Sequence, residues 1–345
     1  MTPTAFLNLI SIGLLAVLST SLPTTTAVSL HSGHVVRSHH GISGVHKRAT
    51  NAKRCKPRAS STLSSSKAAS TKAAATTTEK VAAQTTKAPS KPSKSVSFNN
   101  VNLRGKACLA WPNSDYNKLS PWKGSSVGLI YGWSPDKIPG ADELGMTFAP
   151  MLWGWKQAEE FKAKVVEGYA TVALGCNEPN EEGQSNMDAW SGIALWRQYM
   201  IPLLDKGYTL VSPAMSSRPN GKEWMETFMT NCGDDCGVSA IAIHYYGTDI
   251  EEFKTYVEYW YNKYNLPVLI TEYADQDFNG GPQASLDEIW AFMVAATSWI
   301  NSKDWIKAHC WFGAMVGMSN VNVLNTMMNS GGSGPNDLGH YFINN

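Results

Sequence analysis

The chain has 345 residues, 43% of them hydrophobic, and a formal net charge of +1 that conceals a sharp division. Before residue 99, Glu79 is the one acidic side chain against thirteen Lys and Arg, which leaves 27 acidic and 16 basic groups beyond it. A globular part that acidic repels phosphate backbones, which argues against a nucleic-acid partner, and its apolar residues are too dispersed for a membrane bundle. Thirteen Trp and thirteen Tyr point instead to stacking surfaces.

In chain order, residues 1–27 read as a signal peptide: Phe6 to Leu18 is a mostly apolar run followed by small residues at Thr25 and Ala27. No other segment reaches spanning length, so no membrane contact beyond the secretion signal is expected. Residues 28–58 hold His31, His34, His39, His40 and His46 and the dibasic pair Lys47-Arg48, and read as a propeptide. Residues 59–98 form a disordered Ser/Thr-rich linker. Seventeen of the 39 residues from 59 to 97 are Ser or Thr, a composition that cannot bury a core and that suits O-glycosylation. No Asn-x-Ser/Thr sequon occurs in the chain.

From residue 99 to 345 the texture becomes apolar runs alternating with helical patterns, a length that suits a TIM barrel of roughly 250 residues. Eight strands are predicted: Ala107 to Trp111, Val127 to Trp133, Thr147 to Trp153, Thr171 to Cys176, Thr209 to Pro213, Ser239 to Tyr245, Pro267 to Thr271 and Ala308 to Phe312. Helices are predicted over Gln157 to Gly168, Met187 to Lys206, Gly221 to Asn231, Asp249 to Tyr264 and Ser285 to Asn301. Asp249 with Glu252 and Ser285 with Glu288 have capping-box spacing. The first two crossovers are short and poorly helical. The fold class is α/β: a single (β/α)8 TIM barrel preceded by the disordered stalk.

Active sites of this fold lie at the C-terminal strand ends. There the fourth strand runs into Asn177-Glu178-Pro179-Asn180 and the seventh into Thr271-Glu272-Tyr273-Ala274. Each motif alone suits a turn or a helix start, but two carboxyls facing one another at these two strand ends suit glycoside hydrolysis. That reaction needs one carboxyl to protonate the leaving oxygen and another to attack or to activate water.

The runs PheAlaProMetLeuTrpGly (148–154), LeuGlyCysAsnGluProAsn (174–180), SerProAlaMet (212–215), AlaIleHisTyrTyrGly (242–247) and IleThrGluTyrAla (270–274) resemble, in the right order, glycoside hydrolase family 128, of clan A, which includes the alkali-sensitive-linkage-like proteins. The resemblance implies β-1,3-glucan as substrate, Glu178 as general acid/base, Glu272 as nucleophile and Asn177 as partner of the sugar 2-hydroxyl. Cys176 stands where that family is expected to carry an aromatic residue.

Aromatic side chains at strand ends can cover apolar sugar faces, and the candidates are Tyr131, Trp133, Trp153, Trp155 and above all Trp311. Strand alternation on the sixth strand sets Ala242, His244 and Tyr246 on one face and Ile241, Ile243 and Tyr245 on the other. His244 and Tyr246 should therefore point inward, toward carboxylate or substrate. Cys232 and Cys236 read as a local disulfide; Cys108 and Cys310 fall on neighbouring strands and are left open between thiols and a bridge; Cys176 reads as an inert buried thiol. The expectation is a secreted or wall-resident monomeric retaining glycoside hydrolase acting on β-glucan, with no metal and no cofactor. A hydrolase of another β-glycan and a non-catalytic wall carbohydrate-binding protein are the alternatives.

Overall fold

The computed structural model describes residues 97–112 and 119–345. The expected signal and propeptide, with Cys55, and the expected linker as far as residue 96 lie outside the described residues; Ser97 and Phe98, the last two linker positions, belong to the folded part, where Phe98 is buried. Eight parallel strands, β1 Ala107–Ala110, β2 Val127–Tyr131, β3 Thr147–Phe148, β4 Val172–Leu174, β5 Thr209–Met215, β6 Val238–Gly247, β7 Val268–Asp275 and β8 Ile306–Trp311, run in the order β3-β2-β1-β8-β7-β6-β5-β4. The third strand is shorter than its apolar run suggested: Ala149 N still donates to Ile130 O at 3.0 Å, but the next N–H on that side, Met151 N, reaches Ser134 O at 3.0 Å, beyond the end of β2 and out of register with it. Residues 150–153 pair with the fourth strand instead: Leu174 N donates to Pro150 O at 2.9 Å, Leu152 N to Leu174 O at 2.9 Å and Asn177 N to Trp153 O at 3.0 Å. These bonds close the ring.

The helices α1 Ala158–Lys164, α2 Ala189–Leu195, α3 Ile201–Leu204, α4 Pro219–Cys232, α5 Ile250–Tyr264, α6 Leu286–Asn301 and α7 Asp337–Asn344 cover the outside. Asp249 caps α5 by accepting from Glu251 N and Glu252 N, and Ser285 and Glu288 complete a reciprocal capping box on α6. The helix predicted from Met187 to Lys206 is divided by a π turn at Trp196–Met200. Pro202, lacking an N–H, breaks the regular bonding pattern there. Among the described residues the first two crossovers carry no α-helix, in keeping with their composition. Among the described residues no helix is long and apolar enough to cross a membrane.

Two hydrophobic layers follow from strand alternation. Small residues such as Ala110, Ala149, Ala240, Ala242 and Ala308 fill the narrow barrel interior, whereas Ile130, Ile241, Ile243, Ile270 and Ile306 pack outward with the helices. Inside the barrel Cys108 of β1 and Cys310 of β8 form a disulfide across 202 residues of sequence. Sequence alone left that pair open, since only closure of the barrel makes the first and last strands neighbours. Cys232 and Cys236 form the second bridge. Cys176 is a buried free thiol whose pKa burial pushes up to about 12, so it stays protonated and inert.

Replacing Cys108 and Cys310 together by alanine should lower the unfolding free energy by about 2–5 kcal/mol, because the bridge closes a long loop in the unfolded chain. Denaturant unfolding checks this; an unchanged midpoint at unchanged slope would contradict it.

Candidate active site

Two carboxyl groups meet at the barrel mouth by different local devices. Glu178 follows β4 on irregular backbone: its N–H donates to Ala214 O of β5 at 2.8 Å, and it holds a φ of 39°, in the left-handed region that non-glycine residues seldom occupy. Beyond Pro179, Asn180 ties this loop to the end of β5, donating to Ser216 Oγ at 2.7 Å and accepting from Ser216 N at 3.2 Å. Ser216 Oγ in turn donates to Glu181 at 2.5 Å.

Glu272 depends on a bulge. Ile243 of β6 pairs with Ile270 of β7, yet the next residue, His244, pairs with Glu272, so Thr271 is an extra residue on β7. Plain alternation from the inward Leu269 would turn Thr271 and Tyr273 inward and Glu272 toward the helices. The extra residue reverses the phase: Tyr273 packs outward and Glu272 enters the barrel mouth.

Both carboxyls converge on His244, which is fully buried, inward-facing and flanked along β6 by the inward Ala242. His244 Nδ1 and Glu178 Oε1 share a hydrogen bond of 2.8 Å, and the same nitrogen lies 3.5 Å from Glu272 Oε2. Trp133 Nε1 donates to Glu272 Oε1 at 2.6 Å and Tyr246 OH donates to Oε2 at 2.7 Å, so both oxygens of Glu272 are held. Burial raises the pKa of Glu272; His244 opposes the rise, Glu178 adds to it and the two donors oppose it. Burial also disfavours charge on His244, but the nearby Glu272 and the hydrogen bond to Glu178 outweigh it and its pKa is raised. The three side chains thus form one cluster, joined by the hydrogen bond between His244 and Glu178 and by the close approach of His244 to Glu272. They are also, among the described residues, a group whose donor atoms, within 4.8 Å of one another, could hold a metal ion. With Nδ1 of His244 and both oxygens of Glu272 already engaged, the arrangement suits proton handling.

A cavity of about 660 Å³ opens above the cluster, lined by Asn177, Trp133, Tyr246 and Gln184 together with a wall from the segment after β8. Asn177 Nδ2 donates to Gln184 at 3.2 Å, and its buried Oδ1 has no hydrogen-bond partner among the described residues. The wall is apolar, built from Phe312, Met315, Met318, Val321 and Met328. It is fastened to β7 by the buried Asn325, whose side chain accepts from Asp275 N at 3.2 Å and donates to Asp275 O at 2.9 Å. Gln184 and this wall were missed by sequence reasoning; the run MetValGlyMetSerAsnValAsn at 315–322 was the one available signal.

Three aromatic expectations are corrected. Trp311 is fully buried and does not line the cavity. Because Ala308 and Cys310 face inward, Trp311 faces outward against Tyr273 and Phe292, with Nε1 donating to Asn325 O at 3.0 Å. Tyr131 is also fully buried, inside the barrel beneath Trp133, its ring 5.1 Å away edge-on. Trp153 is half-buried outside the cavity lining, beneath Lys156, and contributes its carbonyl to the loop that carries Asn177.

A closed parallel barrel with two carboxyls and a histidine joined at its mouth defines the catalytic domain of a glycoside hydrolase. Residues 108–342 match the glycosyl hydrolase catalytic core family. The alkali-sensitive linkage protein 1 of Schizosaccharomyces pombe is 29% identical over 254 residues, covering 70% of this chain and 45% of that protein, so the chain spans less than half the length of this relative. Among solved structures, a subgroup II endo-β-1,3-glucanase of glycoside hydrolase family 128 from Sorangium cellulosum superposes with TM-score 0.57 at 25% identity, over 69% of this chain and 97% of that one. A subgroup I endo-β-1,3-glucanase from Amycolatopsis mediterranei, in complex with laminaripentaose, gives TM-score 0.53 at 25% identity over 69% and 97%. The fold is shared too with a subgroup V exo-β-1,3-glucanase from Cryptococcus neoformans, at TM-score 0.61 and 24% identity over 69% and 98%. The chain belongs to the glycosyl hydrolase catalytic core family and, within it, to glycoside hydrolase family 128.

Replacing Trp311 by alanine should cost about 3–5 kcal/mol of stability, the range for truncating a buried Trp. Thermal and denaturant unfolding provide the measurement, and a loss below about 1 kcal/mol would contradict the buried placement.

Proposed function

We propose that this protein is a secreted, retaining hydrolase of β-1,3-glucan. The observation that carries the mechanism is the approach of the two carboxyls: an oxygen of Glu178 and one of Glu272 lie within 4.8 Å of one another, with His244 in hydrogen-bond contact with the first. Retaining enzymes separate their carboxyl groups by about 5–5.5 Å, whereas inversion needs roughly 6.5–9.5 Å to admit water. Glu178 starts protonated and delivers its proton to the leaving glycosidic oxygen while ionised Glu272 attacks the anomeric carbon. Glu178, now a carboxylate, then takes a proton from the water that releases the sugar from Glu272. Trp133 and Tyr246 aim the Glu272 oxygens, and the unpartnered Oδ1 of Asn177 is suited to accept from the sugar 2-hydroxyl.

The linkage rests on the family and on the β-1,3-glucanase activities of its solved members. Secretion rests on the apolar leader and is supported by two disulfides, which persist in oxidising compartments. Hydrolysis of another β-glycan is the competing reading, and a panel of defined-linkage glucans separates the two.

Glu178→Gln and Glu272→Gln should each lower kcat on β-1,3-linked oligosaccharides by at least about a hundredfold while leaving the fold intact. NMR of the anomeric proton early in hydrolysis should show a β product first; an α product first overturns retention. A further expectation concerns pH. The nucleophile must be ionised, so activity falls as pH drops through its raised pKa, and the positive charge of His244 holds that pKa down. His244→Gln should therefore move the acidic limb of the kcat/KM profile to higher pH, and a limb that stays in place or moves down counts against this electrostatic role.

A further inference from the structure

We infer that Tyr131 is a positioning residue for the reaction, holding the β7 bulge in the phase that turns Glu272 into the cleft. The inference rests on the reading of Glu272 as nucleophile and adds to it a residue that touches neither sugar nor carboxylate. Tyr131 ends β2 and points inward with Leu129; its hydroxyl crosses the barrel interior and donates to the carbonyl of Thr271 at 2.7 Å. Thr271 is the extra residue of the bulge, the single position that reverses the in-and-out phase of β7. A slip back to plain alternation would turn Glu272 toward the helices and Thr271 toward the cleft.

Two further observations agree. The Thr271 hydroxyl donates weakly to Ile243 O at 3.4 Å on β6, so the bulge is gripped from the neighbouring strand as well as from across the barrel. The Tyr131 ring also supports Trp133 edge-on, and Trp133 donates to Glu272 Oε1, so one phenol braces the nucleophile through its backbone and through its indole donor. Burial, with Glu272 and Glu178 nearby, raises the phenol's pKa well above its ordinary value, so it remains a donor throughout the working pH range.

Tyr131→Phe removes only the hydroxyl and keeps the ring under Trp133. Tyr208→Phe is the control: the Tyr208 side chain is likewise buried, and its hydroxyl donates to Val166 O at 2.6 Å and accepts from Ala170 N at 3.0 Å, away from the cleft lining. Both variants should lose stability, Tyr208→Phe through two lost hydrogen bonds and Tyr131→Phe through one. Only Tyr131→Phe should lower kcat, by about ten- to a hundredfold, with KM within about twofold, because a misplaced attacking oxygen slows the chemical step.

A 2-deoxy-2-fluoro β-glucosyl oligosaccharide with a good leaving group supplies the second readout, the rate at which Glu272 is covalently labelled, followed by mass spectrometry. Wild-type labelling at Glu272 with slower labelling in Tyr131→Phe is the expected result. Equal labelling rates, or a kcat loss no greater than in Tyr208→Phe, overturn the role of Tyr131. Wild-type labelling at another residue, or none at all, overturns the assignment of Glu272 and the inference with it.

Discussion

Burying two carboxyl groups within 4.8 Å of one another is the constraint on which the rest of the site depends. Like charges removed from water repel strongly, and each also loses its hydration. An imidazole placed between them relieves both costs, since it can carry a compensating charge and satisfy an oxygen directly. That remedy works only if β6 presents His244 inward at the height where β7 presents Glu272, which ordinary pairing between these two strands does not allow. The one-residue shift after Ile243 resolves the conflict. A local irregularity in one ladder thus follows from the electrostatics of the chemistry above it.

The same pressure is visible in the backbone. Glu178 and Trp133 both sit at positive φ, conformations that cost energy for side chains of this size. Both are held by contacts to other elements. Asn180, Ser216 and Glu181 lock the loop after β4 onto the end of β5, and Arg218 adds an ion pair to Glu181 at 3.2 Å. Trp133 is fixed by Glu272 and by edge contacts to Tyr131 and Phe312. The rigid barrel therefore carries the strain, and the reacting groups need little reorganisation when a sugar arrives.

The barrel was legible because its signals are local: apolar runs of strand length, the helix caps at Asp249 and Ser285, and Ile alternation on β6 that set His244 inward. The motif pair around Glu178 and Glu272 was legible for the same reason. What escaped depends on registration between segments distant in sequence. The β7 bulge leaves no mark in composition, so a plain strand ending at Thr271 was the natural expectation, whereas β7 continues to Asp275. Trp311 was assigned to the cleft by its position at a strand end, yet alternation from Cys310, which faces the interior, would have directed it outward. The methionine-rich wall has neither helical nor strand period, and its placement follows from the Asn325 bonds to β7, which no spacing rule anticipates.

The disulfide between β1 and β8 makes the barrel a covalently closed circuit as well as a hydrogen-bonded one. A protease that cuts one surface loop between residues 108 and 310 leaves two pieces still joined, and separation requires a second break. Such a cut opens a ring instead of releasing a fragment, so the strands on either side stay at high effective concentration and can re-form their ladder. Endurance under proteolysis then depends on the topology of the covalent chain as much as on the free energy of folding.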